Sequence, residues 1–186
     1  MRALEAPRIP RTIARSLSPD ELRQLLSHPD HRPVVRAFLA LLVNTGIRLS
    51  EALSVGPGSE NDGILVVSGK TGQRYVPVTD WVWEAVKLVM PWPWTSRDAA
   101  GMAFRRAFKL AGFQGRRASA QTIRHTFVRL WRGDETALVG ILGWTSPRML
   151  ARYRPFDVDR AKEQHAHHNP LNLAELELGA TQPRLL

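Results

Sequence analysis

The sequence contains no cysteine, which excludes disulfides, thiolate nucleophiles and cysteine-ligated metals together. Tyrosine is almost as scarce, with 2 in 186 residues. No apolar run approaches the ~20 residues that a membrane-spanning helix needs. The first fifteen positions hold Arg2, Glu5, Arg8, Arg11 and Arg15 where a secretory signal would carry an apolar core. These absences lead to the expectation of a cytoplasmic protein with no membrane partner. Acidic residues are also in deficit, 17 against 26 lysines and arginines, for a formal charge of +9. Such an excess points to a polyanionic partner, nucleic acid ahead of a membrane surface. A hydrophobic content of 44% is enough to build one sizeable core, and the length suits one domain.

The chain is organised mainly by helical patterns. Residues 1–17 are read as a basic arm or linker, residues 18–168 as the folded domain and residues 169–186 as a tail. Ser18-Pro19-Asp20-Glu21 has the form of a capping box with proline at the first helical position. A broad apolar stripe from Pro33 (Val34, Val35, Phe38, Leu39, Leu41, Leu42) predicts a core helix. A short helix is expected over Leu49–Val55 and a loop over Gly56–Gly63. ILVVSG and RYVPV, around the turn-like KTGQ, predict a β-hairpin. Helices are then expected over Trp81–Met90, from a Ser96 cap to about Ala111, and over Thr122–Arg132, Thr136–Leu142, Pro147–Tyr153 and Asp157–His168. The Ser96 helix should turn Ala103, Phe104, Ala107, Phe108 and Ala111 inward. The predicted fold class is mainly α (α+β): one helical domain with a small antiparallel hairpin sheet.

Four stretches combine residue types that suit phosphate chemistry: NTGIRLSEAL (44–53), SGKTGQRYVPV (68–78), QTIRHTF (121–127) and LGWTSPRMLARY (142–153). Taken singly, each admits an ordinary reading. Arg48 and Glu51 can form an i,i+3 surface pair, Lys70 can be a polar turn residue, Arg124 can be solvated and Trp144 can belong to the core. In this order, over residues 17–170, they resemble the tyrosine recombinase (phage integrase) family. The resemblance implies catalytic arginines at Arg48 and Arg124, with Glu51 and His125 in supporting places. It implies a catalytic lysine at Lys70 and a nucleophile at Tyr153. Trp144 occupies the histidine-or-tryptophan position nine residues before that tyrosine.

The chemistry explains these residue types. Permanently charged guanidiniums suit the non-bridging oxygens of a phosphodiester in its transition state. A tyrosine with an ordinary pKa of about 10 must be activated by its surroundings to attack phosphorus. A lysine is a natural acid for the departing 5′ oxygen. Gln121 departs from the family pattern: it stands where histidine or lysine is usual, and an amide cannot take a proton near neutral pH. The expected activity is a site-specific recombinase or integrase working through a 3′-phosphotyrosine, with no cofactor, metal, ATP or small-molecule substrate. Its expected partners are double-stranded DNA and further copies of the chain, up to a tetramer on synapsed DNA. Arg2, Arg8, Arg11, Arg15 and Arg148 are candidate DNA contacts, and LNLAELELG (171–179) resembles an element that docks on a neighbouring protomer. The rival readings are a type IB topoisomerase-like relaxase and a non-enzymatic DNA-binding protein derived from an integrase. Tyr75 is read as a packing residue, the His165, His167 and His168 group as a polar helix surface without metal, and Trp92 and Trp94 as closing a core edge.

Overall fold

The computed structural model describes residues 16–69, 72–115, 118–144 and 158–170. Among them run α1 (Pro19–Leu26), α2 (Pro33–Thr45), α3 (Leu49–Leu53), β1 (Glu60–Asn61), β2 (Ile64–Gly69), β3 (Gly72–Pro77), α4 (Asp80–Val89), α5 (Arg97–Leu110), α6 (Ala120–Leu130), α7 (Glu135–Leu142) and α8 (Val158–His168). The fold is mainly helical with a small antiparallel sheet, as the sequence predicts. The expected helix over Pro147–Tyr153, the residues of the tail from 171 onward and the arm through Arg15 lie outside the described residues.

The α1 start is the capping box expected: Ser18 Oγ accepts from Glu21 N–H at 3.2 Å, and Glu21 Oε2 accepts from Ser18 N–H at 2.9 Å. Such a cap contributes about 1 kcal/mol. The core begins one residue earlier, at the fully buried Leu17, whose N–H donates to Thr126 Oγ1 at 2.8 Å. Helix α2 is apolar nearly all round, with every residue from Ala37 to Thr45 buried. That pattern suits a central helix, and α2 packs against α1, α3, α4, α5 and α6. Phe38 on α2 meets Trp92 and Trp94 at ring separations of 4.6 and 4.9 Å, so the PWPW stretch does close a core edge. On α5, Ala100, Phe104, Ala107 and Phe108 are buried, whereas Ala103 is only half-buried. Ala111, just past the helix, is buried as well, so the expected inward face holds at four of its five positions and extends back to Ala100.

The segment Gly56–Gly63 is not all loop, because Glu60–Asn61 pairs with Leu65 and Ile64 as a short third strand. In the hairpin, Val67 faces Arg74 and Val66 faces Tyr75. Alternation puts Leu65, Val67, Arg74 and Val76 on the covered face. Tyr75 therefore falls on the open face and is 51% exposed beside the exposed Val66, which corrects its reading as a packing residue.

The histidine group is also corrected. His165 is not on the surface but 3% exposed, and its Nε2–H donates to Asn44 O at 2.6 Å. Asn169 Nδ2 donates to the same carbonyl at 2.7 Å. His167 is exposed, and His168 sits half-buried with its ring 6.4 Å from that of Trp131. No group of three or more histidines and carboxylates is placed to hold a metal ion among the described residues. No helix among them is long and apolar enough to cross a membrane.

Burial pushes the His165 imidazole down to about 4 against the pull of its bond to Asn44. Burial likewise lowers His31. Between about pH 6.5 and 4 the unfolded chain binds a proton that the folded His165 ring refuses, so stability present at neutral pH is lost as pH falls through that window, and His31 acts in the same direction. For His165 the full loss is about 3 kcal/mol. Thermal melts from pH 7.5 to 4 should show this decline, and His165→Gln should flatten it, leaving the smaller share of His31.

Candidate functional site

The site is assembled from the ends of helices. Gly46 caps α2 in the left-handed conformation, φ +63°. A Cβ there would lie 2.7 Å from Phe127 Cδ1, so the turn after α2 approaches α6 as closely as a glycine allows. Two residues on, Arg48 precedes α3, and Glu51 returns from within α3 to meet it. Glu51 Oε2 accepts from the Arg48 backbone N–H at 2.6 Å, and Oε1 accepts from Arg48 Nη1 at 3.0 Å. The i,i+3 pair exists, yet it is not a surface pair: the Glu51 side chain is 1% exposed and that of Arg48 is 42% exposed.

Arg74 is one residue that sequence reasoning missed. From β3, its Nη1 and Nη2 donate to Glu51 Oε1 and Oε2 at 2.6 and 2.7 Å, and its Nε donates to Ile141 O at 2.9 Å. Burial by itself would raise the Glu51 carboxyl. Hydrogen bonds from Arg74 and Arg48, together with the Arg74 charge, instead hold it down at about 2. The signal for Arg74 was available: strand alternation with Val76 points it inward, and a buried guanidinium requires an anion.

Arg124, buried on α6, is not solvated. Its Nη1 donates to Gly46 O at 2.7 Å and its Nη2 to Leu142 O at 2.8 Å. Burial, then repulsion from Arg48 and Arg74, lowers its pKa to about 10 despite the opposing pull of Glu51. It stays cationic at neutral pH and is short of anionic compensation. Trp144, just beyond α7, is exposed, with its ring centroid 6.0 Å from Arg124 Cζ.

Arg48, Glu51, Gln121 and Arg124 line one cleft of about 570 Å³, joined by Arg97 and Arg105 of α5. The last two were not singled out in the sequence; they flank Gly101 on the α5 face that borders the cleft. The first turns of α5 and α6 also open on it, capped by Ser96 and Ser119 through Ala99 and Thr122 N–H. Helix N-termini add partial positive charge. Gln121 is exposed, and its Nε2 lies 3.2 Å from His125 Nε2, so an amide donor there makes that ring nitrogen the acceptor. Lys70, Arg148 and Tyr153 lie outside the described residues, as do Arg2, Arg8, Arg11 and Arg15. Chemically, the cleft is a cationic pocket in which one carboxylate is already neutralised, suited to a phosphate group.

Comparison with known proteins agrees with this chemistry. The model of the phage integrase family matches residues 15–160. The tyrosine recombinase XerC of Xanthomonas campestris pv. campestris (strain B100) is 35% identical over 135 residues, 68% of this chain and 40% of the relative. The chain thus spans well under half the length of that relative. Among solved structures, the integrase from mycobacterium phage Brujita superposes with a TM-score of 0.69 at 20% identity, covering 90% of this chain and 62% of that one. The XerH site-specific recombinase, in a pre-cleavage complex with its difH substrate, gives 0.57 at 22% identity, covering 80% and 52%.

Gly69 supplies a test of the cleft wall. A Cβ at this position would lie 2.6 Å from Glu51 Oε1, and the carboxylate cannot give way because two arginines hold it. Gly69→Ala should cost about 1–3 kcal/mol in a denaturant titration, the usual range for overpacking a fixed site.

Proposed function

Because the chain belongs to the phage integrase family, we propose that it is a site-specific DNA recombinase that cleaves and rejoins strands through a 3′-phosphotyrosine at Tyr153. The observation that carries this reading is the convergence of Arg48 and Arg124, from two distant segments, on one cleft around a buried carboxylate. Double-stranded DNA is the proposed substrate, and XerH with its bound difH is a relative by fold that supports the choice.

In the proposed reaction the two guanidiniums and the helix N-termini hold the non-bridging oxygens of the scissile phosphate. The Tyr153 phenolic oxygen attacks phosphorus and loses its proton to water or a substrate oxygen, since Gln121 cannot accept one. The bond from phosphorus to the 5′ oxygen breaks, and that oxygen takes a proton from Lys70. A 5′-hydroxyl from a partner duplex then attacks the phosphotyrosine, releasing Tyr153 with the strand rejoined. Each step exchanges one phosphoester for another, so no ATP is consumed. Trp144, beside Arg124, is proposed to donate its indole N–H to the same phosphate. A protomer assembly on two duplexes is part of this proposal, as is the DNA contact of Arg97, Arg105, Arg148 and the arginines of the arm. The charge of the cleft, carried by Arg48 and Arg124 together, weighs against a purely non-enzymatic descendant, which would have no need of both.

A nicked suicide duplex drawn from the flanks of the coding locus, incubated in chelator and run on a denaturing gel, tests the reading. The wild-type chain should form a covalent adduct and Tyr153→Phe none. Arg48→Ala and Arg124→Ala should each slow adduct formation by ~10²–10³-fold, the usual loss for one charge-stabilising donor. DNA shifted without any adduct in the wild type would overturn the recombinase reading in favour of simple binding. Gln121→His should accelerate the reaction and add a pH dependence near 6.5, which a rate profile from pH 5.5 to 8 would read.

A further inference from the structure

We propose that Arg74 is a positioning residue whose charge occupies Glu51, so that Arg48 keeps its own charge for the bound phosphate. This rests on the reading of the cleft as a phosphodiester site. Glu51 carries a full negative charge at 1% exposure, and among the described residues its guanidinium donors are those of Arg48 and Arg74. Arg74 is 9% exposed, and its Nε, Nη1 and Nη2 are all committed, to Ile141 O and to the two carboxylate oxygens. Unlike Arg124, it is not among the residues that line the cleft, so it does not meet the substrate. Arg48 is the exposed member of the trio, and it faces the cleft.

The charge count decides the role. Arg48, Glu51 and Arg74 sum to +1, and the surplus sits on the residue that lines the cleft. Without Arg74, the buried carboxylate and Arg48 sum to zero. Coulombic attraction is far stronger for a pair shielded from water than for one across solvent. The carboxylate would then hold the Arg48 guanidinium as its counter-ion, at the expense of a phosphate that must compete from the open side. Arg74 thus supports Arg48 without touching DNA. Its bidentate grip also leaves Glu51 free to keep its bond to the Arg48 backbone N–H, fixing where that side chain starts.

Equilibrium binding of a fluorescent 30-bp duplex across a salt gradient tests this without requiring cleavage. Removing one phosphate-neutralising cation lowers the log–log salt slope by about 0.9. Arg74→Met should lose about one such unit, the same as Arg48→Ala. Glu51→Gln should keep the wild-type slope, and Arg74→Met combined with Glu51→Gln should regain it. A purely structural role predicts otherwise, because the double variant lacks the Ile141 bond just as the single one does. Arg74→Met with an unchanged slope, or the double variant no better than Arg74→Met, overturns the proposal. Arg74→Lys guards against a folding failure. It retains the charge while losing the bidentate grip, so it should keep the wild-type slope, and a slope like that of Arg48→Ala would sink the idea. Adduct formation by the wild type separately tests the recombinase reading; its absence, with the slopes as expected, would remove that reading and leave Arg74 in this role.

Discussion

The carbonyl end of α2 is the constraint on which the remaining elements depend. A helix leaves its last carbonyls without partners inside the helix, and here they serve as posts for other segments. Asn44 O receives His165 and Asn169 and so seats the end of α8. Gly46 O receives Arg124 and so ties α6 to the turn that delivers Arg48. The Asn44 side chain holds the α4 start, donating to Thr79 Oγ1 and accepting from Thr79 N–H. A helix C-terminus carries partial negative charge, which helps to explain how a guanidinium as buried as that of Arg124 is tolerated there. Because the same Arg124 also reaches Leu142 O, the end of α7 and Trp144 beyond it are set by the same post.

Glu51 performs the matching task on the other wall. A buried carboxylate is costly unless it is paired and its lone pairs are used, and here Arg48 and Arg74 together supply a backbone N–H and three guanidinium bonds. Removing one partner of such a set typically costs about 3–5 kcal/mol. The side chains thus couple local structure to chemistry: β3 holds Arg74, Arg74 holds Glu51, and Glu51 sets the start of α3 and with it Arg48. Gly69 and Gly46 are glycines for the same reason, since both wall segments come within van der Waals contact of what they support.

Much of this was legible in the sequence where a local rule applied. Ser18 and Ser96 announce helix starts because a hydroxyl satisfies an orphan N–H within the same few residues. The hairpin is legible because two β-branched runs flank a glycine turn. Arg48, Glu51, Gln121, Arg124 and Trp144 are legible through motif order, and the structure places Arg48, Glu51, Gln121 and Arg124 on one cleft with Trp144 beside Arg124. What was not legible is what depends on distant partners. His165 has the polar neighbours of a surface helix, and only the approach of Asn44 O puts it inside. Tyr75 has strand propensity whichever face it takes; the register with Val66 decides. Arg97 and Arg105 join the cleft because α5 turns that face toward α3 and α6, an orientation that packing sets. Lys70 and Tyr153, the residues on which the proposed chemistry turns, lie beyond the described residues, so their placement rests on the motif.

The charge balance of the cleft accounts for why this site needs two walls. Arg48, Arg74 and Arg124 against Glu51 leave a net charge of +2 at the inner walls, and Arg97 and Arg105 against Asp98 add one more from α5. A phosphodiester in the ground state carries one negative charge, and attack by a phenolate brings a second onto the phosphorane. A cationic surplus larger than one is therefore better matched to the transition state than to bound DNA, which is the condition for faster chemistry instead of tighter binding alone. Burial strengthens the match, because the groups that carry the charge are fixed by carbonyls and a carboxylate before substrate arrives and need no rearrangement when the charge develops. The lowered pKa of Arg124 is the cost of that arrangement seen in the free protein: burial is its main cause, and repulsion from Arg48 and Arg74 adds a part that a bound anion would offset. A lysine in place of Arg124 could not keep this design. It would lack the planar set of donors that holds Gly46 O and Leu142 O at once, and burial beside two cations would push it toward the neutral amine.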